Sequence, residues 1–333
     1  MKKIFLVIIS LSLLLIGCEN KSTSTKNISQ EDNTKKYYSY YTGKECSDSD
    51  NDKPSFMTII ENSPQARPQS GLSSADIIYE TSAEGGIPRF IALFHDNSPE
   101  IIGPIRSVRP YFLDIVKEFN LPFAHCGGSE DALNRISKDK NLMSINEIAE
   151  GPYFQRDNSR KAPHNLYTSS NNINKYINDK NIKIQNKPFL SFDNDYYKKS
   201  SFTDANNLSI TINKNYTTSY TYKDGLYTKS MDGKESIDVL NNTPLTFSNI
   251  VIQKTNINLS NDNLHLNIDL IGKGEGHILS QGKVIDVTWE KTSDDSRTVL
   301  YDKSGSKVPL SPGKTIWHII DNKSNLSIGS SSK

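Results

Sequence analysis

The chain has 333 residues, with 39 lysines and arginines against 38 aspartates and glutamates, for a formal charge of +1. A near-neutral chain without a basic block offers little to a phosphate backbone, so no nucleic-acid partner is expected. Its length allows two domains of ordinary size, and its three cysteines show no metal-ligand spacing, so neither a metal nor a cofactor is expected.

Lys2 and Lys3 precede a 13-residue apolar run at 4–16, closed by Leu15-Ile16-Gly17-Cys18. The run is shorter than the ~20 residues a membrane-crossing helix needs, and it has the form of a secretory signal. A small residue followed by cysteine at its end resembles the bacterial lipobox. Residues 1–17 are therefore expected to be a lipoprotein signal peptide, with Cys18 lipidated. The mature chain would sit outside the cytoplasm, anchored to the cell membrane by lipid. Its other cysteines, Cys46 and Cys126, could be bridged or free.

Residues 18–53 are polar and are expected to form a disordered tether, since such composition cannot bury enough apolar surface to offset chain entropy. The tyrosines at 37–41 suit either a membrane interface or the start of the folded part. Strands are expected at 56–60, 75–79 and 90–94, the last two apolar on both faces as in the middle of a sheet. Tyr111, Phe112, Ile115, Val116 and Phe119 recur at helical spacing behind Arg109-Pro110. A strand at 123–126, a helix near 130–137 and a closing helix near 170–177 follow. Alternating strands, glycine turns and helices make 54–186 an α/β domain.

After a polar linker at 187–204, alternation at 264–270 and 285–289 and turn pairs such as Asp224-Gly225 and Gln281-Gly282 indicate hairpins. The expectation is a smaller, mostly antiparallel β domain at 205–322, α+β overall, with a frayed polar tail at 323–333.

The lipobox, Tyr41-Thr42-Gly43 and the strings ARPQSGL (66–72), ADIIYE (75–80), EGGIPR (84–89), GPIRSVRP (103–110), GGS (127–129) and APHNLY (162–167) together resemble the YerB-like lipoproteins. The likeness extends to GKGEGHILSQGKVIDVTWEK (272–291) and LSPGKTIW (310–317). The first strand, SFMTIIEN, is less aliphatic than is usual there, which touches packing only. The resemblance implies a surface lipoprotein with an N-terminal α/β domain and a smaller C-terminal domain, both of unknown function. It supplies no catalytic residues.

Chemistry concentrates in 67–109. Arg67, Arg89, Arg106 and Arg109 lie among carboxylates, glycine turns and buried strands, where charge is costly unless paired or facing a cleft. Glu80 and Glu84 either neutralise the arginines in an internal network or share with them a polar cleft at strand ends, where open α/β sheets bind ligands. Arg89, Arg106 and Arg109 are expected to converge near Glu84 and the His164-Asn165 loop, with at least one guanidinium open. Ser129 is expected to cap a helix, the alternative being an anion site built with Gly127 and Gly128. His164, with Asn165 beside it on a loop after Arg160 and Pro163, is the best proton-transfer residue, the alternative being a histidine that only holds the loop in place. Three functions follow. The first is a non-enzymatic anchored protein that binds an anionic or polar envelope ligand, or a surface protein, through the arginines. The second is a wall-acting hydrolase or transferase using Glu84 or His164 as acid–base. The third is a structural scaffold without a ligand.

Overall fold

The computed structural model describes residues 35–188, 190–199 and 201–330. The expected signal peptide at 1–17 and the expected lipidation site Cys18 lie outside them. Strand dominates, and the described residues from Lys36 onward form one compact unit.

The first half supplies β1 (Phe56–Glu61), β2 (Ile77–Ser82), β3 (Pro88–Phe94), α1 (Pro110–Phe119), β4 (Phe123–His125), α2 (Glu130–Lys138), β5 (Ser144–Asn146) and α3 (Ser170–Asp179). The second supplies β6 (Asn207–Asn213), β7 (Tyr216–Lys223), β8 (Leu226–Met231), β9 (Asn249–Thr255), β10 (Gly272–Ser280), β11 (Lys283–Lys291), β12 (Thr315–Asp321) and β13 (Asn325–Gly329).

One large sheet runs through both halves, in the order β11-β10-β9-β12-β2-β3-β1-β4-β5. The seam is β12, parallel to β9 on one side and to β2 on the other. Alternation along β1, β2 and β3 sends side chains to opposite faces. One face carries Ile59, Tyr79 and Ile91 against the buried stripe of α1 and against Trp317, whose ring stacks on Tyr79 at 5.5 Å. The other carries Ile60, Ile78 and Phe90 against α3 and a second sheet of β8-β7-β6-β13.

Four expectations need correction. The ordered chain starts well before residue 54. Tyr37–Tyr38 pairs with Glu45–Cys46, Tyr41 is 2% exposed against His95, and the hydroxyls of Ser39 and Thr42 donate to Asp96 at 2.6 Å each. A polar average concealed one anchoring aromatic. The linker at 187–204 is also packed: Tyr197 is fully buried with its hydroxyl on the Pro309 carbonyl, and Thr203–Asp204 pairs with β11. Residues 325–329 are not frayed but add β13 to the edge of β6. In 264–270 only Leu266–Ile268 is strand, with Leu264 left exposed.

Candidate functional site

The arginines expected to converge divide into a closed group and an open one. Closure begins at the β2–β3 turn, where Gly85 and Gly86 take φ values of 68° and 70° that a side chain would resist. The turn holds Glu84 beside Arg89, on β3, and Arg109, the residue preceding the first turn of α1. One Glu84 oxygen accepts from Arg109 Nε and the other from Arg89 at 3.3 Å. Each arginine gives one further N–H to a backbone carbonyl, Arg89 to Ser107 (2.7 Å) and Arg109 to Val108 (2.8 Å). The three side chains are 10–16% exposed. Burial, then the neighbouring Arg109 charge, push Arg89 down to about 10. For Glu84 burial works upward, but the bond and charge of Arg109 and the charge of Arg89 outweigh it and hold the carboxyl below its ordinary range.

The open group lies at the carboxyl ends of β1, β4 and β5, three neighbouring parallel strands that end at Glu61, His125 and Asn146. The chain at 104–108 is laid across these ends. Glu61 N–H donates to the Pro104 carbonyl, Arg106 N–H to Ile59, and Cys126 N–H to Arg106. The loop joining the short paired strands Gln155–Arg156 and Leu166–Tyr167 brings His164 to the same place. Glu61, itself 3% exposed, puts both oxygens 3.0 Å from His164 Nδ1 and accepts from Ser63 Oγ at 2.8 Å. Arg106 approaches Glu61 only to 3.6 Å, and its side chain is 30% exposed. Beside them, Glu147 accepts from the Cys126 thiol and from Arg156, each at 3.2 Å. Arg156 also donates to Asn165 Oδ1 at 3.1 Å. Burial, then Glu147, push the Cys126 thiol up to about 11, which leaves it protonated and a poor nucleophile.

The other candidates fall elsewhere. Arg67 bonds Asn62 and, at 2.6 Å, Asp232 in the turn after β8. Glu80 is sealed in the core, paired with buried Lys229 at 2.7 Å and bonded by Asn62, with His318 at 3.5 Å. Burial pushes Lys229 down and His318 well down. Ser129 caps α2 by accepting from Ala132 N–H, while Asn165 uses its amide to tie the loop carbonyls of Asp157 and Arg160. Arg160 fixes the loop to the carbonyls of Ala66, Arg67 and Pro68. Cys46 and Cys126 are both free thiols.

Sequence reasoning missed Glu61, Glu147 and Arg156. For Glu61 a signal existed: it is the one charge in a strand otherwise fit for burial. Glu147 and Arg156 carried none.

A strand-rich protein in which one sheet unites two regions, with a polar cluster at its parallel strand ends, is the class defined by fold and site. The chain belongs to the family of proteins of unknown function named DUF3048. Residues 41–183 match its N-terminal domain and 208–317 its C-terminal domain. It is similar to "Putative lipoprotein YerB" of Bacillus subtilis (strain 168), with 30% identity over 315 residues, 92% of this chain and 91% of that one. The crystal structure of YerB protein from Bacillus subtilis superposes with a TM-score of 0.78 at 30% identity, covering 87% of this chain and 99% of that one. The family resemblance carried by the sequence strings is thus confirmed.

Proposed function

We propose that the chain is a lipid-anchored extracytoplasmic protein that binds an anionic or polar envelope ligand at the carboxyl ends of β1, β4 and β5. Arg106 is the clamp, with His164 and Arg156 beside it. One observation carries the reading: Arg89 and Arg109 are closed by Glu84, whereas Arg106 has, among the described residues, a single loose ion pair and a partly exposed guanidinium. A guanidinium with open donors gains charge-assisted bonds from a carboxylate or phosphate. Its position outside the ends of parallel strands is where such sheets bind ligands. The α/β reading of residues 54–186 belongs with this proposal and rests on those three parallel strands and the helices between them. Anchoring rests on Leu15-Ile16-Gly17-Cys18 and on the lipoprotein name of the relative.

Two experiments test the two parts. The full chain in detergent is titrated with phosphate-bearing and carboxylate-bearing bacterial wall polymers, and Arg106→Ala should weaken binding about tenfold or more. Wild-type affinity in that variant would remove the clamp. Cys18→Ala should shift the chain out of the membrane fraction and remove the acyl mass; retention at unchanged mass would exclude the lipid anchor.

A hydrolytic reading is favoured by one feature. Glu61 grips His164 through Nδ1, the arrangement that orients an imidazole for proton transfer at Nε2. Glu84 does not serve that reading, because two guanidiniums hold it ionised, whereas a general acid needs a raised carboxyl. A change in pH–rate profile on Glu61→Gln, with any wall ester as substrate, would promote the hydrolytic reading over simple binding.

A further inference from the structure

A separate cavity of about 580 Å³ opens where the Arg67 loop faces the turn after β8, within the ~300–1,000 Å³ range of small-molecule sites. Its floor is apolar: Phe90, Met231 and Leu245, each 2–3% exposed, and Ile237. These side chains come from β3, from β8 and from the strands around 237–245, so the cavity exists only because the two halves of the chain pack together. Phe90 belongs to the core between the two sheets and Met231 is itself buried, which makes the floor preformed.

The rim is polar and charge-balanced. Arg67 and Lys234 stand against Asp232 and Glu235. Arg67 spends three of its five N–H donors, two on Asn62 and one on Asp232 at 2.6 Å, which leaves two. One Asp232 oxygen takes the Arg67 bond and the other the Thr217 N–H at 2.9 Å, so each oxygen keeps a lone pair. A fixed cation and a fixed anion in contact at the mouth of an apolar hole suit a ligand that carries both charges at one end and an apolar group at the other. A simple anion would meet Asp232 and Glu235, and a simple cation would meet Arg67 and Lys234.

We infer that this cavity binds a small zwitterion with an apolar side chain, namely a free hydrophobic amino acid. The carboxylate goes to Arg67, the ammonium to Asp232, and the side chain lies on Phe90, Met231 and Leu245. This site is independent of Arg106, which does not line it.

Calorimetric titration of the full chain in nanodiscs with L-phenylalanine and with L-leucine tests it. One saturable site is expected, weakened about tenfold or more when both ends of the ligand are blocked as N-acetyl amides. Ile237→Trp and Ser236→Phe, which fill the cavity from its partly exposed wall, should abolish binding without lowering Tm, and Arg106→Ala should leave it unchanged. Absence of saturable heat with both ligands would overturn the proposal. So would binding that survives either filling variant in a folded protein, or blocked ligands that bind as well as free ones. If one filling variant unfolds, the other decides.

Discussion

Two arginine–carboxylate clusters occupy the same stretch of chain and differ in how their charges are answered. At Glu84 one carboxylate takes two guanidiniums, and backbone carbonyls take the remaining contacts. At Glu61 one carboxylate is shared between an imidazole, a hydroxyl and a guanidinium, and the guanidinium gets the poorest share, at 3.6 Å. The first cluster fastens the β2–β3 turn to the start of α1. The second lies where three parallel strands end and the backbone has no further strand to satisfy. Similar residues thus serve cohesion in one place and reactivity toward solvent in the other. The difference lies in how many fixed acceptors each arginine finds, not in residue type.

The largest effect should come from breaking the closed cluster. Glu84→Gln leaves Arg89 and Arg109 nearly buried without their counter-charge, a loss of about 3–5 kcal/mol when one partner of a buried pair is removed. Urea unfolding at pH 7 measures it. The effect must also depend on pH. Because Glu84 is depressed in the folded state, its stabilisation is fully present above the unfolded glutamate value of about 4.3 and fades as pH falls through the lower folded value. The gap between wild type and Glu84→Gln should therefore be widest near neutrality and shrink in acid. A gap below about 1 kcal/mol at pH 7 would mean that the two clusters do not differ in kind.

Much of the first half was legible because its signals are local. β1 and β3 are apolar runs, α1 announces itself by three- and four-residue spacing behind Pro110, and Ser129 sits ahead of two acidic residues as a cap should. What stayed hidden depends on distant partners. Nothing in 315–321 marks it to join β2, whose residues lie more than two hundred positions earlier. Lys229 looks like surface in its polar setting, yet it is 1% exposed because Glu80, 149 positions away, meets it in the core. Glu61 becomes the centre of the open cluster only when the loop carrying His164, 103 positions on, folds over it. Tyr41 shows the same limit at shorter range, since one buried ring decides the fate of a polar segment.

A middling effect separates structural polarity from ligand binding at α2. Ser129 accepts from Ala132 N–H, and Glu130 and Asp131 already complement the helix dipole. Ser129→Ala should lower stability by about 1 kcal/mol, as loss of a helix cap does, and Ser129→Asp should restore most of it. Ligand affinity should be the same in both variants. An affinity that falls in Ser129→Ala and falls further in Ser129→Asp would instead place an anion at this helix end, and would extend the open cluster to Gly127 and Gly128.

The smallest change in stability is expected where the proposed function resides. Arg106→Ala removes a side chain that is 30% exposed and makes one ion pair at 3.6 Å. Glu61 keeps its other partners, with His164 Nδ1 at 3.0 Å and Ser63 Oγ at 2.8 Å, so the buried carboxylate is not left bare. The Arg106 backbone bonds to Ile59 and Cys126 do not depend on its side chain. A loose pair at 3.6 Å whose guanidinium reaches solvent is worth about 0–1 kcal/mol, and the urea midpoint should move by no more than that range allows. A loss comparable to that of Glu84→Gln would show that the fold depends on Arg106 no less than on Arg89 and Arg109. Arg106 would then be a structural residue and not a clamp, and the open cluster would be better understood as part of a scaffold.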